Sequence, residues 1–100
     1  MTLVKVASKN DVKSGEGKTV SAGGKEIALF NIDGQFFAID NTCAHRGGPL
    51  GEGMLEGNVV TCPFHGWKFN VQNGSSVMPP GAKVKSFAVK LEGDDIMLEV

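Results

Sequence analysis

The fold class this sequence predicts is all-β, an antiparallel sandwich or barrel-like domain, and three observations carry that reading. About nine short apolar or β-branched runs follow one another along the chain. Gly, Asn, Asp and Pro clusters punctuate them as turns, and no stretch of ten residues carries a helical stripe of apolar positions. One hundred residues of uniform composition fit a single domain, 1–100, and 41% hydrophobic content supports only a small core. Residues 41–81 read as a subdomain inserted between the strands, because the turn-rich, chemistry-bearing part of the chain lies there.

Each element has a local reason. Residues 2–6 form a β-branched first strand, and the polar stretch 10–18, with two glycines, is a loop. Residues 19–22 and 25–32 flank Gly23-Gly24 as a hairpin, and Asp33-Gly34 turns the chain again into a strand over 35–40. Residues 49–57 read as a turn-rich connector. Strands follow over 58–61, 67–71 and 75–78, the last two joined through Asn73-Gly74. The stretch 85–92 alternates Phe87, Val89 and Leu91 with Ser86, Ala88 and Lys90, as one half-buried strand would. Gly93 to Asp95 turns it into a final strand over 96–100.

Charge and hydropathy narrow the function classes. The net charge of −1 without a basic run favours neither nucleic acid nor a membrane surface as partner. The first ten residues lack an apolar signal segment, and no later stretch approaches the length of a membrane span. The expectation is a monomer in the cytoplasm, where thiols stay reduced and available to metal.

The chemistry is concentrated in two short motifs. Cys43-Ala44-His45 and Cys62-Pro63-Phe64-His65 hold both cysteines and both histidines of the chain, so the four residues form one candidate site. Two thiolates with two imidazoles suit either zinc or an iron–sulfur cluster. Zinc modules usually place like ligands together, whereas each motif here carries one of each kind, with 16 residues between the motifs. Two loops meeting tip to tip could give both cysteines to one metal and both histidines to a second, which a 2Fe–2S rhomb would need. A disulfide between Cys43 and Cys62 would instead require an oxidising compartment, to which nothing in the sequence points.

The residues CAHRG and CPFHGW resemble the two cluster loops of the Rieske family. The similarity continues through ALFNIDGQFFAIDNTCAHRGGPLGEG and GNVVTCPFHGWKFNVQNGSSVMPP, roughly half of the chain or a little more. The resemblance implies a Rieske-type fold with one 2Fe–2S cluster per chain. It assigns Cys43 and Cys62 to the inner iron and His45 and His65 to the outer one. Gly47, Gly48 and Gly66 would let loop backbone approach the cluster and aim N–H groups at its sulfurs. Phe64, Trp67 and Pro80 would flank it, Pro80 together with Pro79 in a third, shielding loop. Arg46, counted with the cofactor-binding residues, is a candidate contact to a phosphate or a partner, and a solvated loop charge or a local ion pair is its plainer reading.

Formal charge says where such a site would titrate. Two ferric irons, two sulfides and two thiolates sum to zero, so an electron is added more easily than to a four-cysteine cluster, and the window is roughly −150 to +300 mV. High-potential relatives carry a serine and a tyrosine that donate hydrogen bonds at the positions of Trp67 and Phe69. They also carry a loop disulfide whose partners would fall at Gly48 and Phe64. Phe cannot donate and Trp does not donate as a hydroxyl does, so a low potential, on the order of −150 mV, is expected.

The resemblance then implies a function. Ring-hydroxylating oxygenases of the family carry a further iron on two histidines and a carboxylate, which this chain cannot supply because both histidines are committed. It looks instead like the small Rieske ferredoxin, not itself an enzyme, that carries electrons from a flavin-containing, NADH-dependent reductase to a terminal oxygenase. Pro49, Leu50, Phe64, Met78 and Pro80 would form an apolar rim for brief docking at the imidazole end. A small Rieske subunit of an NAD(P)H-dependent nitrite reductase shares the second loop and the length. A zinc-binding interaction module would use the same four ligands, and a redox-sensing regulator would lack any recognisable output element.

Overall fold

The computed structural model describes residues 3–42, 49–64, 66–78 and 81–99. Its strands, all antiparallel, are β1 (Leu3–Ser8), β2 (Gly17–Ala22), β3 (Lys25–Ile32), β4 (Gln35–Asp40), β5 (Met54–Glu56), β6 (Val59–Thr61), β7 (Lys68–Asn70), β8 (Ser76–Met78), β9 (Ser86–Phe87), β10 (Val89–Glu92) and β11 (Asp95–Glu99). They form three sheets in the orders β1-β11-β10, β2-β3-β4-β9 and β5-β6-β7-β8. Short 3-10 turns at Lys9–Asp11 and Leu50–Glu52 are the helical elements among the described residues. No helix there is long and apolar enough to cross a membrane.

The β2-β3-β4-β9 sheet is the shared layer. Its Val20, Ile27, Leu29 and Ala38 pack with Ile96 and Leu98 of the first sheet. Its opposite face places Ala28, Phe30 and Ile39 against Val60, Cys62, Phe69 and Val71 of the third sheet and its surroundings, with Leu50 between. Strand β3 is therefore covered on both sides, and its run Ile27-Ala28-Leu29-Phe30 is fully buried. That explains why it reads as a continuous apolar run where a one-sided strand would alternate. Burying each of its large side chains contributes about 1.5–3 kcal/mol before entropy is counted.

The two predicted hairpins hold at their turns. Gly23 and Gly24 lie at φ 57° and 78°, and Asp33 and Gly34 at 51° and 88°, the left-handed pairs that a tight two-residue hairpin demands. Elsewhere the sequence expectation needs correction. The connector over 49–57 contains β5, which pairs Met54 with Thr61 and Glu56 with Val59. The single strand expected over 85–92 is two. Phe87 pairs with Ala38 in the central sheet, Val89 pairs with Leu98 in the outer one, and the Ala88 carbonyl accepts the Glu99 N–H at 3.1 Å. The chain turns the corner between sheets at Ala88, and its unbroken alternation hides the turn. The loop expected over 10–18 is shorter, since a 3-10 turn takes its start and β2 begins at Gly17, and it has an anchor: Val12 is buried and its carbonyl accepts the Asn31 side-chain amide at 2.8 Å.

Candidate metal centre

The second motif spans the loop between β6 and β7. The Cys62 N–H donates to the Trp67 carbonyl at 2.7 Å, and the Gly66 N–H donates to the Cys62 carbonyl at 3.1 Å. These bonds make a closed turn whose tip carries Pro63 and Phe64. Gly66 sits at φ 76°, a left-handed conformation that costs a residue with a Cβ about 1–2 kcal/mol. Space is not the constraint there, since a Cβ would meet nothing within 4 Å. Cys62 is a free cysteine, buried at the foot of the turn in the cluster with Leu50, Val60 and Phe69. Phe64 points the other way and is 60% exposed.

The first loop leaves β4 and returns at Pro49, and its feet are tied together. Thr42 and Pro49 form an antiparallel bridge, and the Leu50 N–H donates to the Asn41 carbonyl at 2.7 Å. Asn41 is buried, and its Oδ1 accepts the Gly51 N–H at 2.7 Å and the Thr19 hydroxyl at 3.1 Å. Gly51 permits this approach, because a Cβ there would lie 2.5 Å from the Thr19 Oγ1 and 2.9 Å from the Asn41 Oδ1. A Cβ on Gly53 would collide with the Thr61 carbonyl, one residue before Cys62. The path Asn41–Gly51–Gly53–Thr61–Cys62 thus joins the feet of both candidate ligand loops through close backbone packing.

A third loop, between β8 and β9, is pinned in the same way. The Ser76 N–H donates to the Ala82 carbonyl, and the Ala82 N–H donates to the Ser76 Oγ, each at 2.9 Å. Ser75 bridges Lys83, and Gly81 lies at φ 103°.

Of the residues expected at the site, Cys62, Phe64, Gly66 and Trp67 are brought together on the β6–β7 turn. Cys43, His45, Arg46, Gly47, Gly48, His65, Pro79 and Pro80 lie outside the described residues. Trp67 is half-buried, its ring centroid 6.4 Å from that of Phe69 at 34° between planes, and Phe69 is fully buried. Leu50 corrects the expected rim: it is fully buried, because its N–H bond to Asn41 turns the side chain into the core. Val77, 50% exposed, joins Phe64 as an apolar surface residue on this subdomain. Asn41 and Ser76 were missed by sequence reading. The one available hint was their position at a strand end, Asn41 just after β4 and Ser76 at the start of β8, where short polar side chains commonly bond to backbone.

A free buried thiol, a glycine-permitted tight turn and three loops closed at their feet fit a thiolate-bound metal group. The Rieske [2Fe-2S] domain family matches residues 2–88. The ferredoxin component of biphenyl 2,3-dioxygenase from Rhodococcus jostii (strain RHA1) is 39% identical over 101 residues, covering 100% of this chain and 94% of that protein. The ferredoxin of carbazole 1,9a-dioxygenase from Nocardioides aromaticivorans IC177 superposes with a TM-score of 0.92 at 26% identity, over 98% of this chain and 97% of that one. A chain from a complex of reduced oxygenase and oxidized ferredoxin in carbazole 1,9a-dioxygenase gives a TM-score of 0.88 at 32% identity, over 96% of this chain and 91% of that chain.

Proposed function

The chain belongs to the Rieske [2Fe-2S] domain family, and we propose that within it this protein is a one-electron carrier, a ferredoxin that serves a terminal oxygenase and is not itself an enzyme. The observation that carries this reading is the β6–β7 turn, with a buried thiol at its foot and an exposed aromatic at its tip. A carrier needs its redox group held by the fold and its tip open to a partner. In this reading Cys43 and Cys62 hold one iron and His45 and His65 the other, one cluster per chain, within a single domain whose cluster subdomain spans 41–81. When bound, the cluster supplies a single-electron couple.

The chain's own residues do the rest. Cys62 is withdrawn into an apolar cluster, which keeps water from the thiolate end. Phe64 and Val77 offer exposed apolar contact on the same subdomain, suited to weak docking under about 1,200 Å². Phe69 brings no hydrogen-bond donor and is buried in the same apolar cluster as Cys62, which supports a potential at the low end of the family window. Such a couple matches a flavin-containing, NADH-dependent reductase as donor, and we place the carrier as a monomer in the cytoplasm, where thiols stay reduced. Among the described residues the exposed large apolar side chains Met54, Phe64 and Val77 lie on the cluster subdomain, and Leu3 and Leu91 lie on the first sheet.

Rapid mixing tests the proposal. Pre-reduced protein mixed with an oxidised ring-hydroxylating oxygenase should recover its oxidised visible spectrum, with one electron transferred per chain. Protein that stays reduced against such oxygenases, yet is oxidised by a nitrite reductase, would move it to the other class.

A further inference from the structure

Three buried polar side chains occur among the described residues: Asn31, Asn41 and Ser76. Asn31 is explained by the fold alone. It bonds the Val12 carbonyl and the Gly34 N–H, locking a loop and a hairpin turn. Asn41 has a different setting. Its carbonyl holds Leu50, its own N–H donates to the Glu26 carbonyl at 3.2 Å, and its side-chain oxygen holds both Gly51 and Thr19. Four bonds therefore converge on the residue two positions before Cys43. They tie the exit of the first ligand loop to its return and to two strands of the central sheet.

We propose that Asn41 is a positioning residue for the metal centre, fixing the first ligand loop in register with the Cys62 turn. The inference rests on the Rieske reading above. A hydrophobic residue could fill the same volume, but it could not accept from Gly51 and Thr19 at once. A buried N–H left without its acceptor costs about 1–3 kcal/mol, enough to favour an opened foot. Opening it would break the Gly51–Gly53–Thr61 contact path to Cys62 and let the two loops move independently. Residues that orient metal ligands from behind typically change metal retention by about 10–100-fold when removed.

The test compares Asn41→Ala, Asn41→Asp and Asn31→Ala in the iron-loaded protein. Loss of the visible chromophore to a ferrous chelator is followed, and the EPR spectrum of each reduced protein is recorded. Asn41→Ala should lose colour at least about tenfold faster than wild type and show altered g-anisotropy. Asn41→Asp keeps the acceptor oxygen and should restore the retention. Asn31→Ala, at the other end of β3, should melt earlier yet keep the wild-type spectrum and rate. Should Asn41→Ala not fold, Thr19→Val removes one donor only and should give an intermediate rate. Asn41→Ala or Thr19→Val behaving as Asn31→Ala does, with earlier melting and nothing else, would overturn the positioning role. A wild-type protein without colour would instead overturn the Rieske reading on which it rests.

Discussion

At the residue scale, the low potential proposed for this site turns on Phe69. Its ring is fully buried in the cluster that contains Cys62, and it stacks obliquely near Trp67. Phe69→Tyr would add a hydroxyl donor to that apolar region. The expected outcome is a higher midpoint potential, with a stability loss of about 1–3 kcal/mol if the hydroxyl finds no acceptor. Film voltammetry and thermal melts read both; an unchanged potential would mean the hydroxyl does not reach the metal centre. Of the cysteine and histidine pairs that stand out by their short spacing, Cys62 is a free thiol buried at the foot of its turn, while Cys43, His45 and His65 lie outside the described residues. Asn41 was not legible in sequence, because its partners Thr19 and Gly51 lie 22 and 10 residues away and only folding brings them together. Leu50 was misread for a related reason: an apolar residue beside Pro49 looks exposed until the bond to Asn41 turns it inward.

At the element scale the two hairpin turns were legible: β3 runs between Gly23-Gly24 and Asp33-Gly34 and β4 starts straight after the second, whereas β2 begins at Gly17, two residues earlier than expected. Strand β5 was hidden because Met54-Leu55-Glu56 has no β-branched or aromatic residue and lies between Gly53 and Gly57, so it reads as turn until its pairing with β6 is seen. The β9–β10 corner was hidden because Phe87 and Val89, two residues apart, pack against the same cluster although their strands pair in different sheets, so the alternation runs on unbroken. Strand β3 carries the largest share of the energetics, since it serves both clusters. Phe30→Ala should cost about 3–5 kcal/mol in chemical denaturation, as its ring fills the space against Gly17. Leu91→Ala, at an exposed site of 40% accessibility, should stay within about 0.5 kcal/mol. Equal losses for the two would contradict β3 as the shared layer.

For the whole molecule, two sheets make a scaffold and a third, smaller sheet presents the loops. Among the described residues the outer cluster, with Ile27, Leu29, Ile96 and Leu98, takes none from the candidate ligand loops, whereas the inner cluster includes Cys62 and Leu50. The scaffold thus fixes the platform while the inner cluster ties metal retention to packing. The most direct test of the central claim is a low-temperature EPR spectrum of the dithionite-reduced protein, with a redox titration of the same sample. A rhombic signal with average g below the free-electron value, titrating near the low end of the window at about −150 mV, is the predicted result. An EPR-silent, colourless protein that contains zinc would contradict it and leave an interaction module on the same fold.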